Sequence, residues 1–160
     1  MLYNRVIELY DSEVQSMADF RSSEIINKPV HEVFDYMIKM ENVPELMPFV
    51  VKVEKQTEGE TGKGTKFVET RMVRGKKISS DVEIINFEQD RTYTTRSNAN
   101  GLITEYKYDF HEIEEGTQVE MEATVKTSGL VARLTKRFIV NIVKQEDGSQ
   151  LQYLKEMMEK

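Results

Sequence analysis

Hydrophobic and polar residues alternate through the middle of this chain and recur at helical spacing on either side of it. Tyr106, Tyr108 and Phe110 alternate with Glu105, Lys107 and Asp109, and Val119, Met121, Ala123 and Val125 alternate with Glu120, Glu122, Thr124 and Lys126. A period of two sends successive side chains to opposite faces, so these segments predict antiparallel strands with one wet and one apolar face. Further strands are expected over residues 20–27, 51–54, 66–73, 78–87 and 92–97. The last pair spans 102–113 and 118–127. Turn signals separate them: Glu58-Gly59-Glu60-Thr61-Gly62-Lys63-Gly64, Arg74-Gly75-Lys76-Lys77, Gln89-Asp90, Asn98-Ala99-Asn100-Gly101 and Glu114-Glu115-Gly116-Thr117.

The helical period appears first after Pro29, at Val30, Val33, Phe34, Met37 and Ile38. Proline suits a helix start because its missing N–H has no partner there anyway. Asn42 and Pro44 stop this helix, and Leu46-Met47 before Pro48 allow a second short turn. After Ser128-Gly129 the period returns, with Leu130, Leu134, Phe138 and Ile142 in one stripe and Val131, Ile139 and Val143 widening it. Asp147-Gly148-Ser149 interrupts it before Leu151, Leu154, Met157 and Met158. The second stripe is rotated from the first, which predicts a break near Gly148. Grouped strands with helices at the ends indicate an α+β fold rather than βαβ repeats.

Composition narrows the class. The chain has 160 residues and a net charge of -6, which suits one domain and argues against a nucleic-acid partner. With no Cys, disulfides, thiolate metal sites and a catalytic cysteine are excluded, and a cytoplasmic location is expected. No apolar run approaches the roughly 20 residues of a membrane helix. Residues 1–16, ahead of Met17, read as an N-terminal extension to a single domain over 17–160.

The order of these elements resembles the START-like helix-grip superfamily, also called SRPBCC, and within it the polyketide cyclase/dehydrase and lipid-transport group. Ile26-Asn27-Lys28-Pro29-Val30-His31-Glu32-Val33-Phe34 carries the resemblance, with Glu41-Asn42-Val43-Pro44-Glu45-Leu46-Met47-Pro48 leading into Val51-Lys52-Val53-Glu54. Gly62-Lys63-Gly64-Thr65-Lys66-Phe67 and Glu115-Gly116-Thr117-Gln118-Val119 continue it. The resemblance implies a curved seven-stranded antiparallel sheet around a long C-terminal helix, with two short helices between strands 1 and 2. It also implies a cavity for a hydrophobic ligand between sheet and helix. It carries over no universal catalytic residue and no cofactor.

Under that expectation Thr70, Met72, Tyr93, Tyr106, Tyr108, Phe110, Met121, Leu134, Phe138 and Ile142 face the ligand space. Tyrosine hydroxyls would give a mainly apolar pocket its few polar groups, and the methionines would make it adaptable. The parity of residues 66–73 is open. Either Val68, Thr70 and Met72 face inward, which keeps the charges wet and is the expected arrangement, or Phe67, Glu69, Arg71 and Val73 do, which buries a charged pair. His31 and His111 are expected at the surface, and no spacing supports a triad or a metal site. Arg133, Lys136, Arg137 and Lys144 form a basic helix face that suits transient contact with an anionic membrane. The preferred function is sequestration or transport of a small lipid-, quinone- or polyketide-like ligand, with the hairpin at 98–101 and the Ser128-Gly129 hinge as gates. The alternatives are a cyclase, dehydratase or hydrolase acting on a polyketide-like substrate, and a protein-interaction module with a filled core.

Overall fold

The computed structural model describes residues 18–127 and 129–160, with the side chains of 130–134 left aside. The expected N-terminal extension, Ser128, and the side chains of Leu130, Val131, Arg133 and Leu134 therefore lie outside the described residues. Strand β1 (Phe20–Ile26) is followed by α1 (Val30–Ile38), a 3₁₀ turn (Met40–Asn42) and α2 (Val43–Leu46). Six more strands follow: β2 (Val50–Lys55), β3 (Lys66–Val73), β4 (Lys76–Glu88), β5 (Thr92–Ala99), β6 (Leu102–Ile113) and β7 (Gly116–Lys126). Two helices close the chain, α3 (Leu130–Asp147) and α4 (Gln150–Met158). The strands form one curved antiparallel sheet in the order β1-β7-β6-β5-β4-β3-β2. This is the expected α+β helix-grip architecture.

Alternation places the core. Phe20, Ile26, Phe67, Val82, Ile84, Tyr93, Tyr106, Tyr108, Phe110, Val119, Met121 and Ala123 line the concave face, and the helices cover them. Phe34 of α1 is the aromatic centre, with ring centroids 5.0 Å from Phe110, 5.6 Å from Phe87 and 5.8 Å from Tyr93, all edge-on. Edge-to-face pairs add ~0.5–1.5 kcal/mol each beyond the buried area. Leu151 and Leu154 of α4 are fully buried with this group.

Several local details differ from the sequence pattern. Pro44 does not stop a helix but opens α2, where its missing N–H costs nothing. The register slips between Val50 and Lys52, so Val50 and Val53 face inward and Val51 is exposed. A bulge adds one residue and resets the alternation. The β3–β4 turn is only Arg74-Gly75, both at positive φ (49° and 76°), so Lys76 and Lys77 belong to β4. Gly116, at φ 136°, is required by position: a Cβ there would lie 2.3 Å from the Ile26 carbonyl oxygen. The β6–β7 turn is thereby pressed against the exit of β1, where Thr117 Oγ1 donates to Lys28 O at 2.8 Å.

The expected break falls at Gly148-Ser149. Gly148 still donates to Lys144 O at 2.8 Å, and Tyr153 N restarts the pattern on Ser149 O at 3.1 Å. The rotation across the break turns Asp147 and Gln150 toward the sheet. It leaves Phe138 68% and Ile142 38% exposed. Among the described residues of α3, the apolar side chains packed against the core are Val140 and Val143.

Candidate functional site

The β3 parity is the reverse of the expected one. Phe67 pairs with Val82, Glu69 with Ser80 and Arg71 with Ile78. Phe67 and Val82 are buried, and a period of two carries Glu69 and Arg71 to the same concave face. Thr70 and Met72 stand on the opposite face and do not reach the space under the helices. One large apolar residue, Phe67, fixes the register, and the charges that follow it are met by partners from the C-terminal helices.

Those partners form a closed network. Arg71 Nε donates to Glu69 Oε1 at 2.6 Å. Nη1 and Nη2 donate to Asp147 Oδ1 and Oδ2, each at 2.9 Å, a bidentate fork that matches guanidinium to carboxylate. Nη1 also lies 3.5 Å from Glu146 Oε2, and Nη2 3.6 Å from Met47 Sδ. Tyr106 donates its hydroxyl to Asp147 Oδ2, and Tyr108 donates to Gln150 Oε1, each at 2.5 Å. Gln150 Nε2 returns to Asp147 O at 3.1 Å. Asp147 is 2% exposed and Glu69 6%, so the helix break is sealed onto β3 by a buried ion pair and onto β6 by buried hydrogen bonds.

Electrostatics follow from this packing. Burial alone would lower the Arg71 pKa, but hydrogen bonds and charge from Asp147, then Glu69, raise it instead. Burial, reinforced by Asp147, pushes the Tyr106 hydroxyl well up, and burial with Tyr93 and Asp147 does the same for Tyr108. Burial also raises Tyr93. All three hydroxyls stay protonated, hence hydrogen-bond donors, throughout the neutral range. Glu146 is raised by desolvation against the pull of Arg71, with Asp147 adding repulsion. Three carboxylates thus surround one guanidinium.

Beside the network lies a cavity of about 30 Å³. Met37, Met40, Val43, Leu46 and Met47 from the α1–α2 segment form its apolar side. Glu69, Arg71, Thr95, Ser97, Tyr93, Tyr106, Tyr108 and Gln150 form the sheet and helix side, with Val82 below. A water needs at least roughly 10–15 Å³ on this measure, so the space suits one or two waters. Ligand pockets are typically ~300–1,000 Å³. The roomy cavity expected from the sequence is therefore replaced by a small space with one apolar and one polar wall.

Among the residues singled out from the sequence, Tyr93, Tyr106 and Tyr108 converge on this space. Phe110 and Met121 are buried in the core away from it, Phe110 under Phe34. Phe138 and Ile142 point outward, 68% and 38% exposed. Sequence reasoning misses Asp147 and Gln150. Their signal is an acid and an amide flanking a glycine at a helix break, which looks like a solvated stop until Arg71 is placed beside it. His31 and His111 are exposed, and His111 Nε2 lies 3.4 Å from Glu120 Oε2 on the convex face. Among the described residues there is no cluster that could hold a metal ion, and no helix is long and apolar enough to cross a membrane.

Comparison with known proteins places this geometry. A family model described as polyketide cyclase / dehydrase and lipid transport matches residues 17–159. No curated protein gave a match. Among solved structures, TTHA0849 from Thermus thermophilus superposes with a TM-score of 0.68 at 19% identity, covering 85% of this chain and 93% of its own. Ara h 8.0201 does so at 0.64 and 17%, covering 87% and 95%. The di-domain ARO/CYC StfQ from the steffimycin biosynthetic pathway reaches 0.70 at 15% identity, covering 99% of this chain and 59% of that protein. These likenesses share a fold and do not by themselves transfer an activity.

Proposed function

We propose that this chain, which belongs to the polyketide cyclase / dehydrase and lipid transport family, binds and carries a small, mainly apolar ligand with one or two polar groups. Residues 17–160 would act as one domain in the cytoplasm. The ligand would lie between the α1–α2 segment and the sheet, its apolar body against Met37, Met40 and Met47 and its polar group against Tyr93, Tyr106 and Tyr108. The observation that carries this reading is the two-sided cavity itself. Methionine side chains repack at low cost, so that wall yields to ligands of varied shape.

Binding would require expansion, since the space is about 30 Å³. The α3 helix is the element suited to move. Val140 and Val143 are its apolar inward contacts, Asp147 latches its end, and Gly148 lies at the break. Lifting α3 while α4 stays packed through Leu151 and Leu154 would enlarge the space without opening the core. Burying ~250 Å² of ligand apolar surface gives ~6 kcal/mol, equivalent to a Kd of about 40 μM before ordering costs and weaker after them, so weak rather than nanomolar binding is expected.

An enzyme reading has one observation in its favour: Glu69, Arg71 and Tyr106 all reach the cavity. Against it, every N–H of Arg71 is directed at Glu69, Asp147, Glu146 or Met47, so none is left to stabilise a developing oxyanion. The carrier reading is therefore preferred. Titration with N-phenyl-1-naphthylamine tests it. Saturable one-to-one fluorescence enhancement is expected, and Thr95→Trp, which fills the cavity, is expected to abolish it. Absence of saturable binding, or binding untouched by Thr95→Trp in a folded variant, would overturn the assignment.

A further inference from the structure

The outer surface of α3 and the β3–β4 hairpin differ from the rest of the surface. On the convex sheet face most cations are matched, Lys66 and Lys77 being the exceptions. Arg21 pairs with Glu122, Lys52 with Glu54, Arg96 and Lys126 with Glu105, and Lys107 with Asp109. On the other side, Arg74 and Lys76 at the hairpin and Arg137 and Lys144 on α3 are exposed, and among the described residues none of them forms an ion pair.

Exposed apolar side chains lie among these cations. Phe138 and Ile142 are one helical turn apart on α3, with Arg137 and Lys144 along one flank of that helix, and Ile78 emerges beside the hairpin tip. The Arg71–Asp147 fork holds the last turn of α3 against β3 three residues before Arg74. The last turn of α3 and the hairpin are thereby tied to the same end of β3. The acids nearest this surface are engaged elsewhere: Glu69 and Asp147 face the interior, Glu146, part-buried one turn from Ile142, lies 3.5 Å from Arg71 Nη1, and Glu105 lies on the convex face with its cations. Asp81, exposed, shares that convex parity.

The geometry points to this surface as a docking site for an anionic phospholipid bilayer. Solvated cations around a short apolar stripe are the pattern of an interfacial helix, where the apolar groups enter the headgroup boundary and the cations meet lipid phosphates. A protein of net charge -6 needs such asymmetry to approach an anionic surface in one orientation. A protein partner with an acidic face would be met by the same cations, but among the described residues the stripe exposes two apolar side chains, which offers such a partner little apolar area, whereas a bilayer accepts it in any register. The inference does not depend on the cavity taking a ligand.

Vesicle flotation tests it on the full chain. Vesicles of phosphatidylcholine with about one third phosphatidylserine are expected to carry the protein up at low salt, and phosphatidylcholine alone is not. Each cation removed should weaken partitioning roughly fivefold, so Lys76→Gln/Arg137→Gln/Lys144→Gln should lose about a hundredfold. Phe138→Ser should lose roughly tenfold or more. Lys52→Gln/Lys107→Gln, on the convex face, should change nothing. All substituted residues are exposed, and unchanged thermal melts confirm folding. Equal binding to both vesicle types, no binding to either, or binding unmoved by the α3 and hairpin variants would overturn the inference. So would a stable dimer by light scattering that Phe138→Ser dissolves, since a second copy would then occupy the stripe.

Discussion

Replacing Arg71 by methionine tests the buried network most severely. The guanidinium is removed while Met keeps an unbranched apolar stem against Met47. Asp147 and Glu69, at 2% and 6% exposure, lose the cation that each was paired with. Removing one partner of a buried ion pair typically costs ~3–5 kcal/mol, because the other charge stays buried. Two carboxylates are stranded here, and the Tyr106 hydroxyl relieves only Asp147. The upper half of that range is therefore expected, about 4–5 kcal/mol. For a chain of this size ~1 kcal/mol shifts Tm by about 2–4 °C, so Arg71→Met should melt ~10–20 °C lower at neutral pH. The loss should also depend on pH. Buried carboxylates without a cation bind protons more tightly folded than unfolded, so folding is favoured as protons are added and the penalty grows as pH rises. The deficit should be greatest at neutral pH and shrink toward pH ~4. Arg71→Met/Glu69→Gln/Asp147→Asn, which removes the charges together, should recover much of the lost stability. Urea unfolding across that pH range measures all of this. A deficit below ~1 kcal/mol with no pH dependence would refute it, since that is the signature of an exposed pair.

Other outcomes follow from the same geometry. Glu146→Gln should stabilise the protein slightly at neutral pH, because desolvation raises the carboxyl and disfavours its charged form, and the gain should vanish in acid where wild-type Glu146 is protonated. Urea unfolding at the two pH values measures it. Tyr93, Tyr106 and Tyr108 are all raised by burial, so spectrophotometric titration should show part of the seven tyrosines ionising only as the fold is lost above pH ~10. Folded stability should fall as pH rises through that range. Phe34→Ala should cost ~3–5 kcal/mol by denaturant unfolding, since Phe34 is fully buried among Phe87, Tyr93 and Phe110.

Much of the fold is legible in the sequence because its signals are local. Period-two runs, Gly-containing turns and the Pro29 to Pro48 segment specify strands, hairpins and the α1–α2 wall within short windows. The break at Gly148 is legible for the same reason. The site is not, because its decisive facts are non-local. In β3, Val68, Thr70 and Met72 look like the better inward set by polarity. Glu69 and Arg71 become burial-compatible only once Asp147 and Tyr106 arrive, 76 and 35 positions away from Arg71 in sequence. In α3, the two described residues of the most apolar stripe are not the buried ones. The chain places Val140, Val143 and Asp147 at its inward positions, and leaves Phe138 and Ile142 outside. Burial of an ionic network reversed the hydrophobic ranking in both elements.

The central claim is that an apolar ligand enters between the α1–α2 wall and the tyrosines. Methyl NMR of methionine-labelled protein, titrated with N-phenyl-1-naphthylamine, tests it most directly. Met37, Met40 and Met47 are expected to shift together and saturate at one equivalent, while Met72, on the opposite sheet face, stays unmoved. Shifts confined to methionines away from the cavity, or no saturable shift at any methionine, would contradict it.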